Sequence, residues 1–134
     1  SCDNAHAVHP AHPELSDPTH APVLGGGIVI KYNAAQHYTT DGVSSALFRL
    51  ICEEAGVAAQ NYANRADMPG GSTLGNISAS QLSVCSVDIG IAQLSMHSCR
   101  ETAGASDTEA MIRALTVFYE KTLICERDGE YKLL

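Results

Sequence analysis

The chain has few basic residues, no long apolar run and no paired cysteine motif. Its 134 residues carry 8 Lys and Arg against 15 Asp and Glu, which gives a net charge of −7 with histidine neutral. Nucleic acids are bound largely through basic patches, so a nucleic-acid-binding function is not expected. No apolar run has the length of a membrane span and no signal peptide is recognisable, so we expect a soluble protein without a membrane partner.

The five cysteines are scattered along the chain and include no C-x-x-C pair. This spacing argues against a zinc ribbon and against a thioredoxin-like redox motif. We interpret them as reduced thiols of a cytoplasmic protein, because disulfides are rare in that compartment. The length of the chain is that of a single domain with one core.

The apolar pattern predicts an α/β fold in which strands and helices alternate, an order typical of parallel strands covered by helices. The predicted elements are, in chain order, a strand at 28–32, a helix from Thr40 or Asp41 to Ala55 ended by Gly56, a strand at 57–65, a short helix at 77–83, a strand at 84–91 and a helix opened by the capping box Ser106-x-x-Glu109. We divide this single domain, 1–134, into a His/Pro-rich irregular segment (1–24), an α/β core (25–123) and a C-terminal tail (124–134) with a turn at Asp128-Gly129.

Two polar side chains lie at the ends of predicted strands. His97 follows the strand at 84–91, and Lys31 lies at the exit of the strand at 28–32. Because parallel strands present their carboxyl ends at one edge of a sheet, parallel pairing would bring these two side chains to the same edge.

The start of the chain and the glycine-rich loop at 68–75 offer further candidates. Asp3, His6 and His9 are residue types that bind zinc, and a metal site is one interpretation of this cluster while a polar surface loop is the other. The loop lacks the Lys of a P-loop and the order G-x-G-x-x-G, so we expect it to bring backbone amides close to a substrate rather than to bind a nucleotide. No G-x-S-x-G motif is present, and a serine nucleophile is not expected.

A series of short motifs, in this order and spacing, resembles the aspartyl aminopeptidase family over residues 1–120. The motifs are D-x-A-H-A-V-H-P at 3–10, V-I-K at 29–31, Q-x-Y at 36–38, A-L-F-R-L at 46–50, D-M-P-x-G-S-T at 67–73 and Q-L-S-M-H-S-x-R-E at 93–101. The chain departs from the family pattern at four positions in loops that line the pocket or adjoin it, namely His37, Gly70, Asn76 and Cys99.

The resemblance implies a mixed sheet flanked by helices, as the C-terminal portion of a zinc aminopeptidase catalytic domain. It implies a cytoplasmic metalloprotease that removes an N-terminal Asp or Glu from peptides with two zinc ions. Asp3 is then a ligand of one zinc and His97 a ligand of the other. The residues implied at the substrate pocket are His6, Lys31, Tyr38, Gly71 and Ser72. Among them, Lys31 is a partner for the substrate carboxylate.

The resemblance also implies that upstream ligands and the glutamate general base belong to a part of the family sequence that this chain does not contain. One ligand for each metal is fewer than the three that a catalytic zinc needs, so we expect no turnover by the isolated chain. The apolar surface left exposed predicts a homo-oligomer or pairing with a companion chain.

Two alternatives stay open at this point. In the first, the chain is a non-catalytic paralogue or fragment that acts as a binding or assembly module. In the second, it is a small metal-binding protein. The second alternative would use the histidines of the N-terminal segment, which are His6, His9, His12 and His20.

Overall fold

The computed structural model describes residues 1–134 and contains seven strands, three α-helices and a 3-10 turn at Pro13–Leu15. The strands are β1 (Ala5–His6), β2 (Ile28–Tyr32), β3 (Ala59–Ala63), β4 (Ile89–Leu94), β5 (Thr102–Ala103), β6 (Leu123–Arg127) and β7 (Glu130–Leu133). The helices are α1 (Gly42–Ala55), α2 (Leu74–Gln81) and α3 (Ala105–Glu120). No helix is long and apolar enough to cross a membrane.

Five strands form one mixed sheet in the order β1-β4-β2-β3, with β5 paired to β4. The β2–β3 and β1–β4 pairs are parallel, whereas the central β2–β4 pair is antiparallel. The predicted α/β fold with a mixed sheet flanked by helices is therefore confirmed. Parallel pairing of the strands that precede Lys31 and His97 is wrong, because apolar periodicity reports burial and carries no information about strand direction.

Helix α1 begins and ends where the sequence predicts. The Asp41 carboxylate accepts a hydrogen bond from the Ser44 amide at 2.7 Å, and the Ser44 hydroxyl accepts one from the Asp41 amide at 3.0 Å. This reciprocal pair satisfies two amides that the first turn would otherwise leave free. Gly56 ends the helix in the left-handed conformation, with a φ of +64°.

The capping box predicted at the start of α3 is wrong. The N-cap is Gly104, no side chain caps the helix, and Ser106 already lies inside it. The adjacent Asp107 carboxylate accepts hydrogen bonds from the amides of Gly25 and Gly27 at 2.7 and 2.9 Å. The Asp107 carboxylate in the first turn of α3 therefore binds amides of the glycine segment before β2 instead of capping the amides of its own helix.

The strands of the main sheet alternate between two unlike faces. The helix-covered face carries Ile28, Ile30 and Ile89, which pack against Phe48 and Ile51 of α1 and against α3. All of these side chains are at most 3% exposed. This face is the main apolar core.

The opposite face, called the open face below, carries a smaller cluster. Val29, Tyr62 and Ala92 project from its strands and pack with Ala5 and Tyr38, and no helical residue belongs to this cluster. Lys31 follows Val29 by two residues and therefore projects from this same face.

Three elements have bounds that differ from the prediction. Strand β3 is shorter than 57–65, α2 begins at residue 74 rather than 77, and β4 begins at residue 89 rather than 84. The ladder between β4 and β2 starts where Ile89 faces Ile30, so the apolar residues at 84–87 lie outside it. In the tail, β6 and β7 form a hairpin whose turn contains Gly129 with a φ of +80°, at the position predicted for the turn.

Candidate functional site

A cavity of about 100 Å³ on the open face is lined by every site residue that the family resemblance implies, whereas His9 lies outside it. These residues are Asp3, His6, Lys31, Tyr38, Gly71, Ser72 and His97. They come from five separate segments of the chain: β1 and the residues before it, β2, the loop after β2, the glycine-rich loop and the turn after β4. Their roles stay predictions, while their proximity is a property of the fold.

Lys31 is the most buried charged side chain of the site, with 1% exposure. Its Nζ donates to the Asn4 carbonyl at 3.4 Å and lies 3.7 Å from Asp3 Oδ2 and 4.9 Å above the ring of Tyr38. Burial lowers the pKa of Lys31, and the nearby carboxylates of Asp3 and Asp88 oppose that change. The ion pair with Asp3 is long, and the Lys31 ammonium can therefore form a shorter, charge-assisted hydrogen bond with a further anion.

Two tyrosines form the wall beside Lys31. The rings of Tyr38 and Tyr62 are 6.2 Å apart, and the side chain of Asn64 lies between their hydroxyls. The Tyr38 hydroxyl donates to Asn64 Oδ1 at 3.4 Å, and Asn64 Nδ2 donates to the Tyr62 hydroxyl at 2.9 Å. Burial raises the pKa of both phenols, so both stay protonated at neutral pH.

Tyr62 and Asn64 are site residues that the sequence reasoning missed. Tyr62 lies directly opposite Lys31 in the parallel β2–β3 ladder and shares its face. The alternation of β3 was the available indication, since a correct register against β2 would have placed this aromatic ring next to Lys31.

Asp3 is held beside β4 by its backbone. Its amide donates to the Ile89 carbonyl at 2.9 Å, and a side chain at Gly90 would overlap the Asp3 carbonyl. Gly90 therefore permits the close approach that brings Asp3 to Lys31. The Asp3 carboxylate itself remains 56% exposed.

His97 occupies the turn that follows β4. It has a φ of +65°, its amide donates to Glu101 Oε1 at 2.7 Å, and its side chain is exposed. The left-handed conformation is uncommon for a residue other than glycine. His97 lines the same cavity as Lys31 although β2 and β4 are antiparallel.

Zinc is implied by the resemblance, and the side chains of this chain do not form a complete site for it. Asp3, His6 and His97 line one cavity, yet no group of three or more His, Cys, Asp or Glu side chains converges to hold a metal ion. A catalytic zinc needs three protein ligands and an open position. The N-terminal histidines do not converge either, which gives no support to a small metal-binding protein built on them.

A larger cavity of about 610 Å³ adjoins the first one and shares Asp3 and Ser72 with it. Its remaining lining includes Leu74, Ile77 and Ser86. The side chain of Leu74 is 76% exposed and that of Ile77 is 59% exposed. Asp3 therefore lies between the smaller cavity and a wider, partly apolar depression.

Residues 1–119 match the protein family described as aminopeptidase I zinc metalloprotease (M18). A probable M18 family aminopeptidase 2 of Pseudomonas paraeruginosa is 44% identical over 119 residues, which cover 89% of this chain and 28% of that protein. A protein of the same description from Streptomyces coelicolor is 43% identical over 120 residues, 90% of this chain and 28% of that protein. The chain thus spans 28% of the length of these curated relatives.

Solved structures show the same similarity. A chain in the cryo-EM structure of the Ape4 and Nbr1 complex matches with a TM-score of 0.88 and 38% identity, over 90% of this chain and 23% of its own. Yeast aminopeptidase 1 (Ape1) matches with a TM-score of 0.78 and 32% identity, over 90% of this chain and 26% of its own. The β6–β7 hairpin lies beyond the residues matched to the family.

Proposed function

The chain belongs to the M18 aminopeptidase family, and on that premise we propose that its open face forms the part of an aminopeptidase site that binds an acidic N-terminal residue. Asp3 and His97 each contribute one ligand to a zinc ion in the complete enzyme, and His6, Tyr38, Gly71 and Ser72 line the substrate pocket. The observation that carries this proposal is the buried ammonium of Lys31 in the small cavity.

Lys31 selects the charge of the substrate side chain. An Asp or Glu carboxylate would make a charge-assisted hydrogen bond with the ammonium, which has no short ion pair of its own. A neutral side chain of the same size would leave the buried ammonium without this partner, and a site built around a buried polar group rejects ligands that lack the matching group. The cavity of about 100 Å³ suits one side chain rather than a length of peptide.

The isolated chain binds but does not turn over substrate. Asp3 and His97 would be one ligand each against the three that each catalytic zinc requires, and no group of three or more His, Cys, Asp or Glu side chains converges in this chain. The remaining ligands and the general base come from a companion chain or from another part of a longer protein. The wide cavity beside Asp3 supports this arrangement, because its exposed apolar lining is suited to packing against further protein.

A homo-oligomer or a complex with a companion chain is the expected state. Large apolar side chains are exposed on α2, on the loop after it and on α3, among them Leu74, Leu82, Ile112 and Tyr119. Among the similar solved structures is a yeast aminopeptidase described as a dodecamer. Size-exclusion chromatography with light scattering across a range of concentrations tests this point, and a monomer throughout would count against it.

A binding or assembly module without catalysis is the second candidate, and the incomplete set of metal ligands favours it. It differs from the first in what the site recognises. A module that has lost the substrate site would have no preference for acidic residues, whereas a part of an aminopeptidase site retains one.

The test is titration of the full chain with the dipeptide Glu-Ala and, separately, with Gln-Ala, by isothermal titration calorimetry. We expect Glu-Ala to bind about tenfold or more tightly than Gln-Ala, because a hydrogen bond to a charged group is involved. Lys31→Met should abolish this preference. The matched control is Lys121→Met, which removes a lysine whose Nζ lies 2.8 Å from Glu54, away from the cavity. Equal affinity for the two dipeptides in the unmodified chain would overturn the proposal.

A further inference from the structure

A second carboxylate, Asp88, lies beneath the site and does not line its cavity. It is fully buried, immediately before β4. Its Oδ2 accepts hydrogen bonds from the Thr39 amide at 2.6 Å and the Thr39 hydroxyl at 3.0 Å, and its Oδ1 accepts one from the Thr73 hydroxyl at 2.7 Å. These three hydrogen bonds join two loops to one side chain.

The partners of Asp88 are the immediate neighbours of site residues. Thr39 follows Tyr38, and Thr73 follows Ser72. The backbone of Asp88 adds a third connection, because its carbonyl accepts a hydrogen bond from the Lys31 amide at 2.9 Å. One residue thus joins the three segments that carry the ammonium, the aromatic wall and the glycine-rich loop.

The packing around the carboxylate leaves it little freedom. A Cβ at Gly75, in the first turn of α2, would lie 2.6 Å from Asp88 Oδ2. Thr73 occupies the N-cap of α2 but caps no amide, since its hydroxyl is bonded to Asp88 instead. Burial alone would raise the pKa of Asp88, yet hydrogen bonds from Ser1, Thr39 and Thr73 outweigh burial and lower it. The group is a fixed anionic acceptor at neutral pH.

We propose that Asp88 is a positioning residue for the acidic-residue site: its carboxylate fixes the Tyr38 loop and the glycine-rich loop relative to Lys31. The proposal rests on the proposed function only for its binding readout. Hydrogen bonds to a charged, buried acceptor are stronger than neutral ones, so loss of this acceptor frees both loops together.

Asp107 offers a matched control within the same chain. It is 1% exposed and its carboxylate likewise accepts hydrogen bonds from the backbone, but its partners Gly25 and Gly27 lie outside the candidate cavity. If Asp88 positions the site and Asp107 only stabilises the fold, substitution of Asp88 should weaken ligand binding and substitution of Asp107 should not.

The test compares Asp88→Asn with Asp107→Asn in the full chain, by amide chemical shifts of the ¹⁵N-labelled protein and by affinity for Glu-Ala. We expect Asp88→Asn to shift the amides of both Tyr38 and Ser72 and to weaken Glu-Ala binding about tenfold, whereas Asp107→Asn changes affinity less than about twofold. Equal losses of affinity in the two variants, or no loss in Asp88→Asn, would overturn the proposal.

Two milder variants keep the test decisive if Asp88→Asn does not fold. Thr73→Val removes only the bond to the glycine-rich loop and should shift the Ser72 amide but not that of Tyr38. Thr39→Val removes one of the two bonds to the other loop and should do the reverse. If neither variant shifts the amide next to it, Asp88 does not position the loops.

The two proposals fail in different ways. If the unmodified chain does not bind Glu-Ala, the proposed function fails, and the amide shifts alone then decide whether Asp88 positions the two loops. If the chain binds Glu-Ala but Asp88→Asn leaves affinity and shifts unchanged, only the role of Asp88 is lost.

Discussion

The two faces of the main sheet are built by the same strand and serve different ends. In β2, Ile28 and Ile30 point to the helix-covered face, and Val29 and Lys31 point to the open face. Apolar side chains of two helices complete the first face, whereas loops and a buried cation complete the second. Burial alone therefore does not define a core, since Lys31 is as buried as its isoleucine neighbours.

This difference has an energetic consequence. Burial of an apolar side chain stabilises the fold through removal of its surface from water and through close packing. Burial of an ammonium costs free energy that its partners offset only in part. We therefore expect substitutions on the helix-covered face to affect stability and substitutions on the open face to affect mainly ligand binding.

The largest effect is expected for Phe48→Ala on the helix-covered face. Phe48 is 3% exposed at the centre of the core cluster, and its truncation should cost about 3–5 kcal/mol of unfolding free energy through lost burial and a residual cavity. Urea denaturation followed by circular dichroism measures the loss. On the same helix, Leu50→Ala is the control, because Leu50 is 51% exposed and should cost less than about 1 kcal/mol. Similar losses for the two variants would contradict the assignment of the core.

Asp88→Asn is expected to have the next largest effect, with a particular pH dependence. The folded protein holds the pKa of Asp88 below its ordinary value of 3.8, since the hydrogen bonds it accepts outweigh its burial. The carboxylate thus contributes stability at every pH above that ordinary value, and the contribution is lost as pH falls through the folded pKa. At pH 7 the substitution should cost about 2 kcal/mol, and the deficit should shrink below about pH 4.

The same urea titrations at neutral and acidic pH measure this deficit. The deficit of Phe48→Ala should stay constant over the same range, because no titrating group is removed. A deficit of Asp88→Asn that grows on acidification would show that the carboxylate is not the stabilised form.

Lys31→Met should alter stability little although the side chain is 1% exposed. Replacement of a buried charge by an apolar side chain of similar length is expected to change the unfolding free energy by less than about 1 kcal/mol, and in the direction of greater stability. Thermal unfolding of this variant beside Phe48→Ala measures the contrast between the faces directly. A loss of stability as large as that of Phe48→Ala would mean that the two faces of the sheet do not differ in their contribution to stability.

The smallest expected effect is a gain in stability for Asn76→Ala in α2. Asn76 Oδ1 is buried without a hydrogen-bond partner, and removal of this group should raise the unfolding free energy by about 1 kcal/mol. Ser78→Ala is the control for helix propensity, because Ser78 is exposed on the same helix and should gain only about 0.5 kcal/mol. Differential scanning calorimetry resolves the order of the two gains, and no difference would mean that the Asn76 carbonyl carries no penalty.

The sequence predicted the elements better than their arrangement. Helix α1 was predicted at both ends, because Asp41 and Gly56 satisfy its terminal groups locally. The start of α3 was not predicted correctly, because Asp107 binds backbone amides that are 80 or more positions away in the chain. Strand direction could not be predicted either, since the period of an apolar pattern is the same for parallel and antiparallel pairs.

For the site, sequence motifs identified residues that the fold then placed around one cavity, from Asp3 near the start of the chain to His97 after β4. Site residues that belong to no recognisable motif were not predicted. Asp88 bonds to Thr73 and Asn64 bonds to Tyr38 over distances in the sequence that only folding closes, and neither residue has a spacing that would single it out.

The most direct test is the zinc content of the purified full chain after dialysis, measured by elemental analysis together with hydrolysis of Glu-Ala. We expect substoichiometric zinc and no hydrolysis, because no group of three or more His, Cys, Asp or Glu side chains converges in this chain. Two zinc ions per chain with turnover of Glu-Ala would contradict it, and would mean that this chain or its oligomer supplies a complete dinuclear site.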